Sequence, residues 1–214
     1  MDHEIDIINT NTRIEKIKNF FNNYKKQLVS ILVIIILILF SFFFYQDYKY
    51  GKKEDLANKY DLAIAKYNSG HKENIKQELK EVINAKDNTY SPLAFYFLFD
   101  NDIIDSKDEI NGFFDILIDE ISLDIETKNL VIFKKGLYNS DFADENRLLE
   151  ILNPVIKSQS IWKPHALYLM AEYYFAKEQK QKSKEFFEQI VRLENISSKI
   201  KIEAEKRLRS DFSE

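Results

Sequence analysis

The chain has 214 residues, no cysteine, few glycines (4) and prolines (3), and a net charge of −4 spread over interleaved lysines and acids. The missing cysteines exclude disulfides and thiolate chemistry, and the missing basic patch argues against a nucleic-acid partner. So few turn formers exclude a sheet of tight hairpins and leave long helices joined by short polar turns.

Residues 1–12 are polar and expected to be disordered. Arg13–Lys26, RIEKIKNFFNNYKK, places Ile14, Ile17, Phe21 and Tyr24 at helical spacing, with the lysines facing away. This short basic helix has two readings: attachment to an anionic lipid surface, or the solvated start of the next segment. Leu28–Tyr45, LVSILVIIILILFSFFFY, has no charge; its polar groups are Ser30, Ser41 and the Tyr45 phenol. As a helix it spans roughly 27 Å, close to the ~30 Å hydrocarbon core of a bilayer. Hydrocarbon offers no partners to backbone N–H and C=O groups, so a lone segment there must be helical. The two serines can bond the carbonyl four residues back. The bulky FSFFFYQDY that ends the run has no small-x-small pair to cleave at, so an uncleaved anchor is predicted. Tyr45, Tyr48 and Tyr50 make an interfacial aromatic belt at its end. Arg13, Lys16, Lys18, Lys25 and Lys26 precede the span; Lys49, Lys52, Lys53 and Lys59 follow it. The adjacent Lys25–Lys26 pair favours a cytoplasmic N-terminus.

The remainder, 46–214, reads as one all-α domain. Lys52–Ser69 carries Leu56, Tyr60, Ala63, Ile64 and Tyr67 on one face, and Gly70 can end the helix in the left-handed conformation. Lys72–Ala85 repeats the pattern with Ile75, Leu79, Val82 and Ile83, giving a first antiparallel hairpin. Thr89–Ile104 is the most apolar segment outside the span, and its length and charged flanks favour a buried helix over a strand. Ser106 is the predicted N-cap of a helix through Ile118, with Ile110, Phe113, Phe114 and Leu117 inward. Ile125–Asn139 with Asp144–Lys157, and Pro164–Lys177 with Lys180–Leu193, make the third and fourth hairpins. Ile196–Arg209 caps the end. Paired helices at this spacing predict an α-solenoid.

The fourth hairpin, PHALYLMAEYYFAKEQKQKSKEFFEQIVRLEN, resembles a tetratricopeptide repeat. With Pro164 as the first position, its packing residues are Leu167, Met170, Ala171, Tyr174, Ser183, Phe187 and Ile190. Ala171 and Ser183 face each other where the helices cross, so both must be small; Tyr174 and Phe187 fill the space beside them. Glu178 stands where a turn glycine is common. The first hairpin fits less well, with Lys66 at a packing position, and the second and third are degenerate. By the repeat's register His165, Tyr168, Glu172 and Phe175 face the concave groove, either as a partner site or as an ordinary solvated helix face.

No catalytic constellation is visible. His3 lies in the tail, His71 in a turn, and His165 on a helix with no acidic partner at metal-ligand spacing; HExxH, GxSxG and Gly-rich phosphate loops are missing from the sequence. The carboxylates interleave with lysines as on a solvated helix face. Asp100, Asp102 and Asp105 lack the spacing and glycine of a calcium loop and read as a helix end. No cofactor and no small-molecule substrate are expected.

The order of parts resembles the YfgM family: IEKIKNFFNNYKKQL directly before one anchor, then a degenerate repeat domain with DNTYSPLAFYFL and IWKPHALYLMAEYYFAKEQKQKSKEFF. The resemblance implies a cytoplasmic tail 1–27 with its short amphipathic helix, a transmembrane signal anchor 28–45, and a periplasmic tetratricopeptide repeat-like domain 46–214, all at the bacterial inner membrane. It further implies association with the SecYEG translocon and a PpiD-like membrane-anchored chaperone. The expected function is a non-enzymatic adaptor ancillary to that translocon; a membrane-tethered regulator or a scaffold of another envelope complex is the alternative.

Overall fold

The computed structural model describes the backbone of residues 2–194 and 197–212, and the side chains among these from Ile14 onward. The chain divides into two compact units between Asp55 and Leu56. The first unit is the greater part of α1 (Asp2–Asn68), a helix long and apolar enough to cross a membrane, with side chains exposed from Val29 to Tyr45. The helix begins at Asp2, which corrects the expectation of a disordered tail over the described residues 2–12. The stretch before the span holds neither proline nor glycine, and adding residues to an existing helix costs far less than nucleating one. No break separates Arg13–Lys26 from the span, so the basic segment is the start of the same helix.

The second unit is all helical among its described residues. It comprises the end of α1, then α2 (Ile75–Asn84), α3 (Tyr90–Asp100), α4 (Lys107–Asp115), a π turn (Ile116–Glu120), α5 (Ile125–Asn139), α6 (Glu145–Ile156), α7 (Lys163–Ala176), α8 (Lys180–Arg192) and α9 (Ser198–Asp211). The expected first residue of α9, Ile196, lies outside the described residues. The chain is thus a tetratricopeptide repeat-like α-solenoid behind one long apolar N-terminal helix.

Local chemistry sets the boundaries. Ser106 Oγ accepts from the Glu109 N–H at 3.3 Å, Asp124 Oδ1 from those of Glu126 and Thr127, and Asp144 Oδ1 from that of Arg147 at 2.8 Å. Each satisfies first-turn donors that have no partner inside the helix. Gly70 ends α1 at φ 88°, with its own N–H donating to Tyr67 O and that of His71 to Lys66 O. The same double bond closes α3 at Asp102 (φ 52°) and α7 at Glu178 (φ 59°), where a side chain must tolerate the left-handed region. Asp102 of the acidic cluster therefore closes a helix. Among the described residues no group of three or more potential ligands could hold a metal ion.

Three contiguous clusters form the core. The first joins α1 to α4 around Phe95, whose ring meets Phe113 and Phe114; Phe99 and Tyr138 extend the stack. Edge-to-face pairs of this kind add about 0.5–1.5 kcal/mol each beyond burial. The first hairpin is antiparallel, since Lys59 pairs with Glu81 and Lys66, nearer the helix end, with Glu78. Lys135 departs from the solvated-face pattern of the charged residues. Its side chain is 5% exposed and ion-paired to Asp115, while Asn139 and Asn111 exchange amide bonds beside it.

The third hairpin closes on Gly136, which the repeat pattern did not single out. A Cβ there would lie 2.3 Å from Leu152 Cδ2, and Leu152 is fully buried. A Cβ at Gly112 in α4 would meet nothing within 4 Å. Gly112→Ala should therefore stabilise the domain by about 0.5–1 kcal/mol through helix propensity. Gly136→Ala should be destabilising despite the same propensity gain, because overpacking opposes it. Denaturant midpoints of the two variants test this; equal shifts would show that α5 and α6 are not in close contact there.

Candidate functional site

The crossing of α7 and α8 is built around Ala171 and Ser183, both fully buried, with Ser183 Oγ donating to Ala171 O at 2.8 Å. Leu167, Met170, Tyr174, Phe187 and Ile190 are buried beside them. Tyr174 also reaches α6, where its hydroxyl donates to Glu145 Oε1 at 3.0 Å while Lys182 Nζ donates at 2.8 Å. Lys182 first, then Tyr174, holds the Glu145 carboxyl below its usual range. The bulk of Tyr174 faces a shared core, and its polar tip ties three helices together.

The first helices of successive pairs run side by side and leave a groove of about 590 Å³ among α5, α7 and α9. Phe133 and Leu137 come from α5, and His165, Tyr168, Leu169 and Glu172 from α7. Ser197, Lys199, Ile200 and Glu203 complete it from the start of α9. Three of the sequence-derived groove residues thus line one concavity. A second depression shares His165, Ser197 and Ile200 with it and extends past Trp162 to Ile161.

Each groove residue carries a further constraint. His165 sits against Trp162 and Phe133, with ring centroids 5.3 and 5.9 Å away, and its Nδ1 is buried without a hydrogen-bond partner. The Tyr168 ring packs edge-on to Phe187 at 5.3 Å, so it is partly a core residue. Burial, then the Glu172 carboxylate, pushes the Tyr168 phenol up to about 12. Glu172 is clasped by Arg207 of α9 through two bonds of 2.9 Å. Phe175, expected to face the groove with the other three, is not part of its lining. Arg207 stacks on its ring at 4.4 Å and Phe212 meets it at 5.9 Å, so the end of α9 covers it.

Sequence reasoning missed the α5 and α9 walls because a repeat register names positions within one hairpin only. One usable signal was present in the sequence: Leu137 is an apolar residue off the face that Val131 and Ile132 already supply, and the structure leaves it 52% exposed. The groove's exposed surface is mostly apolar, and His165, Tyr168, Glu172, Ser197, Lys199 and Glu203 supply its polar groups.

The family description Tetratricopeptide repeat-like domain matches residues 18–101, which runs from the basic segment through α3. No curated protein and no solved structure matches the chain. The matched stretch lies ahead of the α7–α8 hairpin, where the repeat is most legible residue by residue. Domains of this class are typically non-catalytic modules of protein–protein interaction.

Two measurements probe this geometry. Ala171→Leu should cost roughly 1–3 kcal/mol by forcing the crossing apart. The exposed Gln189→Ala should change stability by no more than about 0.5 kcal/mol. Equal effects would show the register to be wrong.

Tyr168 gives a pH signature. Its phenol titrates near 10 when unfolded and at about 12 when folded. The folded state therefore favours the neutral form, and that contribution is intact below pH 10 and lost as pH rises toward 12. Melting temperature should fall less steeply across that window in Tyr168→Phe than in the parent; parallel slopes would refute the burial of the phenol.

Proposed function

We propose that the chain is a non-enzymatic, membrane-anchored adaptor that receives a partner protein in the groove among α5, α7 and α9. The observation that carries this reading is an apolar concavity built from three alternate helices, α5, α7 and α9, in a chain that also holds an uninterrupted apolar span. Anchoring raises the effective concentration of the groove beside membrane-bound partners. In domain terms, 1–27 is a cytoplasmic tail, 28–45 the span and 46–214 a periplasmic domain. The YfgM-like order of parts supports the finer reading, in which the partners are the SecYEG translocon and a PpiD-like membrane-anchored chaperone. His165, Tyr168, Glu172 and Leu137 are the proposed contact residues; Phe175 acts by holding α9.

The test is site-specific crosslinking in native membranes. A photoreactive residue replacing Leu137 should capture a membrane-linked partner, and one replacing Lys184 on the outer helix should capture much less. Leu137→Glu should weaken the complex without lowering the melting temperature, since the parent side chain is half exposed. Tyr168→Ala is a poorer probe because that ring also supports Phe187. Equal capture at both positions, or capture confined to a probe at Asn19, would overturn the groove reading.

A further inference from the structure

We propose that the domain touches the bilayer itself through an apolar tip formed by Ile125 and Ile161, with Trp162 behind it and lysines around it. The inference rests on the reading of Leu28–Tyr45 as a membrane span. Ile125 is the first residue of α5 and is 67% exposed; Ile161 precedes α7 and is 68% exposed. Among the described residues of the second unit, no other large apolar side chain is more exposed than these two. They belong to one place, because Glu126 Oε2 accepts from Ser160 Oγ at 2.7 Å and from the Ile161 N–H at 3.3 Å. These bonds fasten the α6–α7 turn to the start of α5, so the two exposed isoleucines belong to one bonded edge of the domain. Two large apolar side chains held in water on one bonded edge make a small apolar surface that a partner can cover.

The surroundings point to lipid as that cover. Trp162 lies beside Ile161 with its ring stacked on Phe133 at 5.9 Å, and an amphipathic indole next to apolar side chains suits the headgroup boundary. Lys128 follows Ile125 by one helical turn, Lys157 caps α6, and Lys163 opens α7; none of the three is in an ion pair that the structure records. Long lysine stems can lie along apolar surface while their ammonium groups reach phosphate. Three acids share the edge: Asp124 caps α5, Glu126 holds the turn, and Glu194 lines the depression beside Ile161 and Trp162. A protein partner would need a matching pocket, whereas a bilayer needs only a short apolar tip, an indole and cations. The chain also supplies the proximity, since only residues 46–55 separate the span from the domain, and tethering raises the local concentration of lipid surface.

Trp162 is the only tryptophan in the chain, which makes the contact readable without a label. The full chain is reconstituted in phosphatidylcholine–phosphatidylglycerol vesicles, with and without brominated acyl chains. Trp162 emission should be quenched in the brominated vesicles, and the double variant Ile125→Asp, Ile161→Asp should lose that quenching. The variant's melting should match the parent's, since both side chains are exposed. Equal emission in the two vesicle types, from protein that resists carbonate extraction, would overturn the proposal while leaving the span intact. Quenching that survives the double variant would overturn it too. Release of the protein by carbonate would overturn the span reading and this one with it.

Discussion

Antiparallel helices that share a core need a point where their backbones nearly touch, and the side chains at that point decide the rest. At the fourth hairpin the point is Ala171 against Ser183, with a hydroxyl bonded across to a carbonyl. At the third it is Gly136 against Leu152. Close approach there leaves the larger residues, Tyr174 and Phe187, to fill the flanks. The second hairpin has no such small pair: Phe95, Phe99, Phe113 and Phe114 lie between α3 and α4 and fill the space with rings. Its repeat pattern looks degenerate in sequence because a different way of filling the same interface is in use.

The groove follows from this packing. Once each pair is closed, the first helices α5, α7 and α9 line up, and the residues they do not need for the core are left facing a common concavity. The division between core and groove is not sharp. Tyr168 lines the groove with one edge and supports Phe187 with the other. Glu172 would be a free acid on the concave face but for Arg207, which neutralises it and shields Phe175. What is left for a partner is mostly apolar, with Ser197, Lys199 and Glu203 as polar features of the α9 wall.

Much of the helical plan was legible in the sequence. The bounds of α5, the cap at Ser106 and the left-handed Gly70 all follow from local rules, because a helix end must find partners for its own backbone groups; Asp124 and Asp144 cap by the same rule, although sequence reasoning did not name them as caps. The seven packing residues of the fourth hairpin were readable for a similar reason, since both helices lie close together in sequence. Lys135, Asn111 and Asn139 were not, because a buried polar network depends on which distant acid or amide comes within reach. The helical state of residues 2–12 was also missed; their polarity says little about whether a neighbouring helix extends through them.

By itself, then, the sequence determined an all-helical chain, an apolar span and the hairpin that closes on Ala171 and Ser183. Periodicity, capping and side-chain size act over a few residues and need no knowledge of the whole. Only the tertiary structure decided that Leu137 and Ile200 share a groove with Tyr168, that α9 removes Phe175 from it, and that Ile125 and Ile161 stand together at one edge. Each of these joins segments far apart in the chain, and their meeting is fixed by how successive pairs stack, which no local pattern records.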